Sequence, residues 1–286
     1  MFQRYISIDW SGAATDDERV DLRVVQASAD GEPRIVHPPD ARPRVRSWKR
    51  SECLAWIRGA LRSNQPRCLV AMDFGFGLPW GADQAVYGCQ GWQAMLAEVT
   101  RLYQQHETAR ATALAVNGQQ RFGGQGPYRF NESRTNFRFY LDQGVGYYRA
   151  VELTIPQAIS QWYLGSGGTV GFHTITGMAF LTRLMTLRQQ GEIDFQIWPQ
   201  EGETPDYKRH LLVESYPAVC PALEDYGPCE DDDQRDAWKV LRRMLQAVAD
   251  HSLEGMFQIP SQSFGRIDGV DFLEQVRFEG WIFGVV

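Results

Sequence analysis

Tyr5-Ile6-Ser7-Ile8-Asp9-Trp10-Ser11-Gly12 is the stretch on which the fold turns. A short, mostly apolar run ends on an aspartate, and a turn follows. Such a run predicts a strand buried on both faces, and the glycine predicts a sharp exit. The pattern recurs at Cys68-Leu69-Val70-Ala71-Met72-Asp73, which leads into Phe74-Gly75-Phe76-Gly77-Leu78-Pro79. In open α/β sheets, ligands sit beyond the carboxyl ends of such strands. Two carboxylates delivered there by neighbouring strands make an anionic pocket, which is costly without a cation or a shared proton.

Outward from the first strand, Val20 to Ala27 alternates in part and predicts a second strand. Arg34 to His37, closed by Pro38-Pro39, predicts a third. Asp30-Gly31-Glu32-Pro33 is a turn signal between them, so the three form an antiparallel meander. A helix carrying Leu54, Trp56, Ile57 and Leu61, capped by Ser47 or Ser51, comes next. The order strand-strand-strand-helix-strand makes that helix a crossover, which favours a parallel pairing of the Cys68–Met72 strand within the same sheet.

Residues 80 to about 205 read as a large helical and loop insertion within one domain that spans 1–286. Trp92, Met95, Leu96, Val99 and Leu102 have helical spacing, and residues 118–148, rich in Gly, Arg, Asn, Phe and Tyr, read as irregular and partly exposed. A second helix is predicted from Gly177 to Gln190. His210-Leu211-Leu212-Val213-Glu214 reads as another buried strand ending on an acid. Asp231, Asp232 and Asp233 suit the N-terminus of a last helix with the stripe Ala237, Val240, Leu241, Met244, Leu245 and Val248. Asp236 lies in its first turn, beside that stripe.

The chain has 286 residues, 43% hydrophobic and 22% charged, with net charge −6. That balance argues against broad, non-specific coating of nucleic acid. Five cysteines without a CxxC pair predict reduced thiols and a cytoplasmic setting. No apolar run reaches the ~20 residues of a membrane span, and no signal peptide or obligate protein partner is expected. The histidines lack metal-ligand spacing.

Asp9, Asp73, Glu214 and Asp236 are therefore the candidate catalytic residues, three at strand ends and one on a helix. Clustered carboxylates suit hard Mg²⁺ or Mn²⁺ ions, and paired ions can clamp the attacking and leaving oxygens of phosphoryl transfer. Ser11, beside Asp9, is a candidate phosphate contact in a backbone nest. Arg129 and Arg134, among Arg121, Arg138 and interleaved aromatics, are candidate substrate contacts, since arginines bind phosphates while aromatic rings stack on bases. The same mixture also suits the packed underside of a loop. Arg42, Arg44, Arg46, Lys49 and Arg50 form a basic cluster that reads as a solvated helix entry or a backbone grip.

Ile8-Asp9-Trp10-Ser11-Gly12-Ala13, Val70-Ala71-Met72-Asp73 with Leu78-Pro79, Gly177-Met178, Val213-Glu214-Ser215-Tyr216-Pro217, Asp236 and Glu279-Gly280-Trp281-Ile282 together carry a resemblance. The chain resembles a predicted-nuclease family with a ribonuclease-H-like fold, catalogued as a domain of unknown function. The resemblance implies an α/β fold whose mixed sheet, an antiparallel meander plus parallel strands, has the first strand in its middle and helices on its flanks. It implies a Mg²⁺- or Mn²⁺-dependent nuclease acting on nucleic acid or nucleotide, with Asp9, Asp73 and Asp236 as metal ligands and Glu214 assisting. The chain departs from the family at Ala237-Trp238-Lys239, where Lys239 is placed to pair with a carboxylate in place of a metal.

Two other readings stand beside this one. An actin-like or sugar-kinase-type phosphotransferase would use Asp9 and Ser11-Gly12 for Mg²⁺ and phosphate, with Gly165-Ser166-Gly167-Gly168-Thr169 as a second phosphate loop. A non-catalytic nucleic-acid-binding module would keep the fold and use the arginine–aromatic segment.

Overall fold

Residue alternation in the strands decides which helices cover which face. The computed structural model describes residues 1–40, 47–123, 125–130, 137–156, 158–165, 170–260 and 265–286. Its strands, in chain order, are β1 (Arg4–Asp9), β2 (Arg19–Val20), β3 (Arg23–Ser28), β4 (Arg34–Val36), β5 (Trp48–Lys49), β6 (Cys68–Met72), β7 (Phe195–Trp198) and β8 (His210–Glu214). Its α-helices are α1 (Arg50–Ala60), α2 (Trp92–His106), α3 (Ala109–Asn117), α4 (Phe137–Gln143), α5 (Ala150–Thr154), α6 (Val170–Gln189), α7 (Asp232–Ala249) and α8 (Phe272–Glu279).

Six strands form one mixed sheet in the order β4-β3-β1-β6-β8-β7, and β2 pairs with β5 apart from it. β1 is central. It runs antiparallel to β3, with Tyr5 opposite Ala27, and parallel to β6, with Tyr5 beside Leu69. The meander β1-β3-β4 and the crossover through α1 to a parallel β6 are as the sequence predicts. β8 lies parallel between β6 and β7. The β7 strand has no counterpart in the sequence reading, because Phe195-Gln196-Ile197-Trp198 is only four residues long and stops at Pro199.

Ile6, Ile8, Val70, Met72 and Leu212 point to one face, where they pack with residues of α1, α2, α3 and α6. Tyr5, Val25, Leu69, Ala71 and Val213 point to the other, under the stripe Ala237, Val240, Leu241 and Met244 of α7. Each buried Leu, Ile or Val contributes roughly 1.5–3 kcal/mol, so two well-filled faces fix the register of every strand, since a slip of one residue would exchange them.

Two local expectations are corrected. Neither Ser47 nor Ser51 caps α1; Lys49 is the cap residue, and the Glu52 carboxylate accepts from its N–H at 3.2 Å. The described residues of 118–148 are partly exposed, as expected, but not wholly irregular. Phe122, Tyr128, Phe139 and Tyr140 are buried, and α4 forms inside the segment.

Candidate functional site

Asp73 follows the last residue of β6, yet the pairing continues: its N–H donates to the Ile8 carbonyl at 3.0 Å. Ile8 pairs with Met72, so Asp73 comes to lie beside Asp9 on the neighbouring strand, at the parallel-strand spacing of about 4.8 Å. Asp9 is buried, at 7% exposure. Among the described residues neither carboxylate has a hydrogen-bond or ion-pair partner. Both line a cavity of about 390 Å³ at the carboxyl edge of the sheet, with Ser11, His173, Glu214 and Asp236.

The electrostatics follow from that isolation. Burial, then the charges of Asp73, Asp233 and Asp236, push the Asp9 carboxyl well above the usual carboxylate range, with Arg23 pulling the other way. Burial, then Asp236 and Glu214, push Asp73 up to about 8 against the pull of Lys239. Two neighbouring carboxyls in a poorly solvated place resist ionising together.

Strand alternation separates Glu214 from this pair. Asp9 follows Tyr5 and Ser7 in phase, and Asp73 follows Leu69 and Ala71, so both belong to the α7 face. Glu214 follows Leu212 and is in register with Met72, so it belongs to the opposite face. There it meets Arg149, which is fully buried. Arg149 Nη1 and Nη2 donate to the two Glu214 oxygens at 2.8 and 2.5 Å, and Arg149 Nε donates to Glu152 at 2.8 Å. The Phe76 N–H donates to Glu214 Oε2 at 2.9 Å. Glu214 thus reaches the cavity with both oxygens engaged, and it ties down the loop that begins at Asp73.

Asp236 comes in from α7. The helix is capped by Asp231, whose carboxylate accepts from the Gln234 N–H at 2.7 Å. Arg23, opposite Asp9 on β3, donates to that same cap at 3.0 Å. Asp236 is half-exposed rather than turned wholly to the sheet, and Lys239 Nζ sits 2.6 Å from its Oδ1. The pairing anticipated for Lys239 is present.

The turn after Asp9 is held from three sides. Trp10 is buried, donates from Nε1 to Thr176 Oγ1 at 2.9 Å, and packs its ring against Phe74 and Phe180. Gly12 lies so close to α6 that a Cβ there would sit 2.6 Å from the His173 nitrogen and overlap Phe172. Arg50 donates to the carbonyls of Ser11, Ala13 and Ala14 at 2.7–2.9 Å and to Asp16 at 2.8 Å. Arg50 is 1% exposed, so the expectation of a basic surface fails at that residue; Arg42, Arg44 and Arg46 lie outside the described residues.

Ser11 lines the cavity as anticipated. Arg129 does not: its guanidinium stacks on Phe139 and Tyr140 and donates to the Gln125 carbonyl. The substrate-contact expectation for Arg129 is therefore corrected to an inward packing role, because the buried aromatics draw it in. Arg134, and Ser166 to Thr169 of the glycine-rich segment, lie outside the described residues. Arg149, Glu152 and Gln161 were missed by the sequence reading. Gln161 Nε2 donates to Glu152 at 2.6 Å. An Arg-x-x-Glu spacing at a helix start was the available signal, and it is a common one.

The donor set suits a hard divalent ion. Two adjacent carboxylates without a counter-cation fit Mg²⁺ or Mn²⁺, and Mg²⁺ is usually held by one or two carboxylates plus waters and substrate phosphate rather than a full protein cage. Among the described residues no group of three or more His, Cys, Asp or Glu side chains is placed to hold a metal ion, so the expected set Asp9, Asp73 and Asp236 does not meet as one ligand group. Among the described residues no helix is long and apolar enough to cross a membrane. Compared with protein-family models, curated proteins and solved structures, the chain shows no match.

Proposed function

We propose that this chain is a divalent-metal-dependent hydrolase of phosphodiester bonds, built on a ribonuclease-H-like sheet. The observation that carries the reading is the side-by-side placement of Asp9, buried, and Asp73, half-buried, both unpartnered among the described residues and open to a cavity. The central position of β1, with its antiparallel meander on one side and parallel strands on the other, supports the fold assignment. Asp9 and Asp73 would hold Mg²⁺ or Mn²⁺, which when bound neutralises charge on the phosphate and lowers the pKa of a water to make a nucleophile.

The chain's own residues do the rest. Arg149 and Glu214 fix the Asp73–Phe76 loop, so Glu214 acts on the site through Asp73 and not on the phosphate. Trp10 and Arg50 fix the turn after Asp9. Asp236 lines the same cavity, half-exposed, with its charge balanced by Lys239. The narrower reading, a nuclease, rests on the family resemblance.

The test combines Mn²⁺ calorimetry with hydrolysis assays on DNA, RNA, hybrids and a small diester, comparing wild type with Asp9→Asn and Asp73→Asn. Losses beyond the about 10–100-fold seen when residues behind a metal ligand are changed are expected for both variants. Hydrolysis that persists in both would overturn the proposal.

A further inference from the structure

The cavity at Asp9 and Asp73 has a size and a charge that bear on what enters it. At about 390 Å³ it falls in the range of roughly 300–1,000 Å³ that holds small molecules. Seven carboxylates line it: Asp9, Asp21, Asp73, Glu152, Glu214, Asp233 and Asp236. Among the described residues one lysine or arginine joins them, Arg149, and its guanidinium is fully buried and committed to Glu152 and Glu214. His173 adds no positive charge at neutral pH, since burial, then Arg50, holds its imidazole down to about 4. Asp9, more than nine-tenths buried and without a partner, is the group that calls for a ligand.

A polynucleotide is gripped through lysines and arginines on successive phosphates, and that grip supplies most of its affinity. The described lining offers none. Asp21, 75% exposed and 3.5 Å from the buried Arg23 Nη2, offers a flanking phosphate no cation. Of the arginines that the sequence offered for this task, Arg50 is committed to carbonyls inside the fold, and Arg129 stacks on aromatic rings and does not line this cavity. Ile159, Tyr216, Pro217 and Ala218 also line the cavity, and these largely apolar side chains suit an organic arm better than a second phosphate.

We infer that the substrate is a small, singly charged phosphodiester, admitted as its divalent-metal complex, and that a polynucleotide does not enter; this rests on the hydrolase reading above. One negative charge is offset by the accompanying ion, whereas each further phosphate adds repulsion that no side chain of the described lining relieves.

The test uses the full chain with Mn²⁺ and two probes, bis(p-nitrophenyl) phosphate and a short labelled single-stranded oligonucleotide. The expected result is Asp9-dependent hydrolysis of the small diester, with the oligonucleotide neither cut nor inhibitory. Asp9-dependent cutting of the oligonucleotide overturns the inference and leaves the hydrolase reading standing. So does inhibition by it that weakens steeply between about 50 and 200 mM salt. Hydrolysis of neither probe overturns the hydrolase reading and this inference with it.

Discussion

The N–H of Asp73 donates to the carbonyl of Ile8 at 3.0 Å. That bond carries the parallel β1–β6 pairing one residue past the end of β6, and it sets the Asp73 side chain beside Asp9. Position, rather than the mere presence of two acids, makes the site electrostatically expensive.

The expense has a pH signature in the metal-free protein. Asp73 is raised from 3.8 to about 8 by burial, then by Asp236 and Glu214. Well below 3.8 it is neutral in both folded and unfolded chains. As pH rises from there to about 8, the unfolded chain releases its proton while the folded one keeps it, so stability falls; above about 8 the full cost of the buried charge is present. Asp73→Asn removes that cost. A tenfold change in an acid's ionisation constant corresponds to about 1.4 kcal/mol, so the variant should exceed wild type by more than about 1 kcal/mol in alkaline buffer and match it in acid. Urea denaturation with EDTA across pH measures this, and a variant less stable than wild type in alkali would refute the like-charge account.

Glu214 calls for the opposite expectation. It is bound by both terminal nitrogens of Arg149 and by the Phe76 N–H. Removing one partner of a buried pair costs about 3–5 kcal/mol. Arg149 keeps Glu152, so Glu214→Gln should fall near the lower end. The loss should appear in the denaturation midpoint and in faster exchange of the Phe76 amide. A variant with unchanged stability and abolished Mn²⁺ binding would make Glu214 a ligand after all.

Much of this was legible in the chain. The β6 strand, 68–72, and β8, 210–214, start and stop where their apolar runs do, because a strand buried on both faces has no room for a charge until it ends. The two aspartates were visible for the same reason. Register was not legible, and it decides that Glu214 belongs to the opposite face of the sheet from Asp9 and Asp73, where Arg149 engages it: alternation along one strand says nothing of phase against the next. Nor was the fate of the arginines legible. Arg50 and Arg129 look like surface cations by composition, but Arg50 is satisfied indoors by partners 34–39 residues away on its turn, and Arg129 stacks on Phe139 and Tyr140 although its Nε and Nη2 find no hydrogen-bond partner among the described residues. Arg149 was hidden likewise, 65 residues from Glu214.

The turn after Asp9 gives a steric prediction. A Cβ on Gly12 would press into the backbone of α6 at Phe172 and His173, which cannot retreat as a flexible side chain would. Overpacking of this kind costs about 1–3 kcal/mol, so Gly12→Ala should be destabilised by that amount. Because the turn carries Asp9 and Trp10, Mn²⁺ affinity should fall as well. Calorimetry on folded variant, beside thermal denaturation, separates the two effects; unchanged values in both would mean that the turn and α6 are not packed this tightly.

Lys239 is the side chain that a metal must contend with. Its ammonium lies 2.6 Å from Asp236 on a half-exposed pair, and such pairs contribute about 0–1 kcal/mol, so Lys239→Met should barely change stability. Its effects on metal binding oppose each other. Losing Lys239 frees Asp236 to join Asp9 and Asp73, which favours a divalent ion. It also removes the charge that draws the Asp73 carboxyl downward, so Asp73 keeps its proton to higher pH, which disfavours the ion. Asp73 is largely ionised above about pH 8 in wild type; once the pH also passes the higher range of the variant's Asp73, the second effect fades and the first prevails. Mg²⁺ titrations by calorimetry should therefore show Lys239→Met binding more tightly than wild type in alkaline buffer, with the advantage shrinking toward neutrality. Weaker binding by the variant in alkali would mean that Lys239 supports the metal-binding geometry instead of competing with the ion for Asp236.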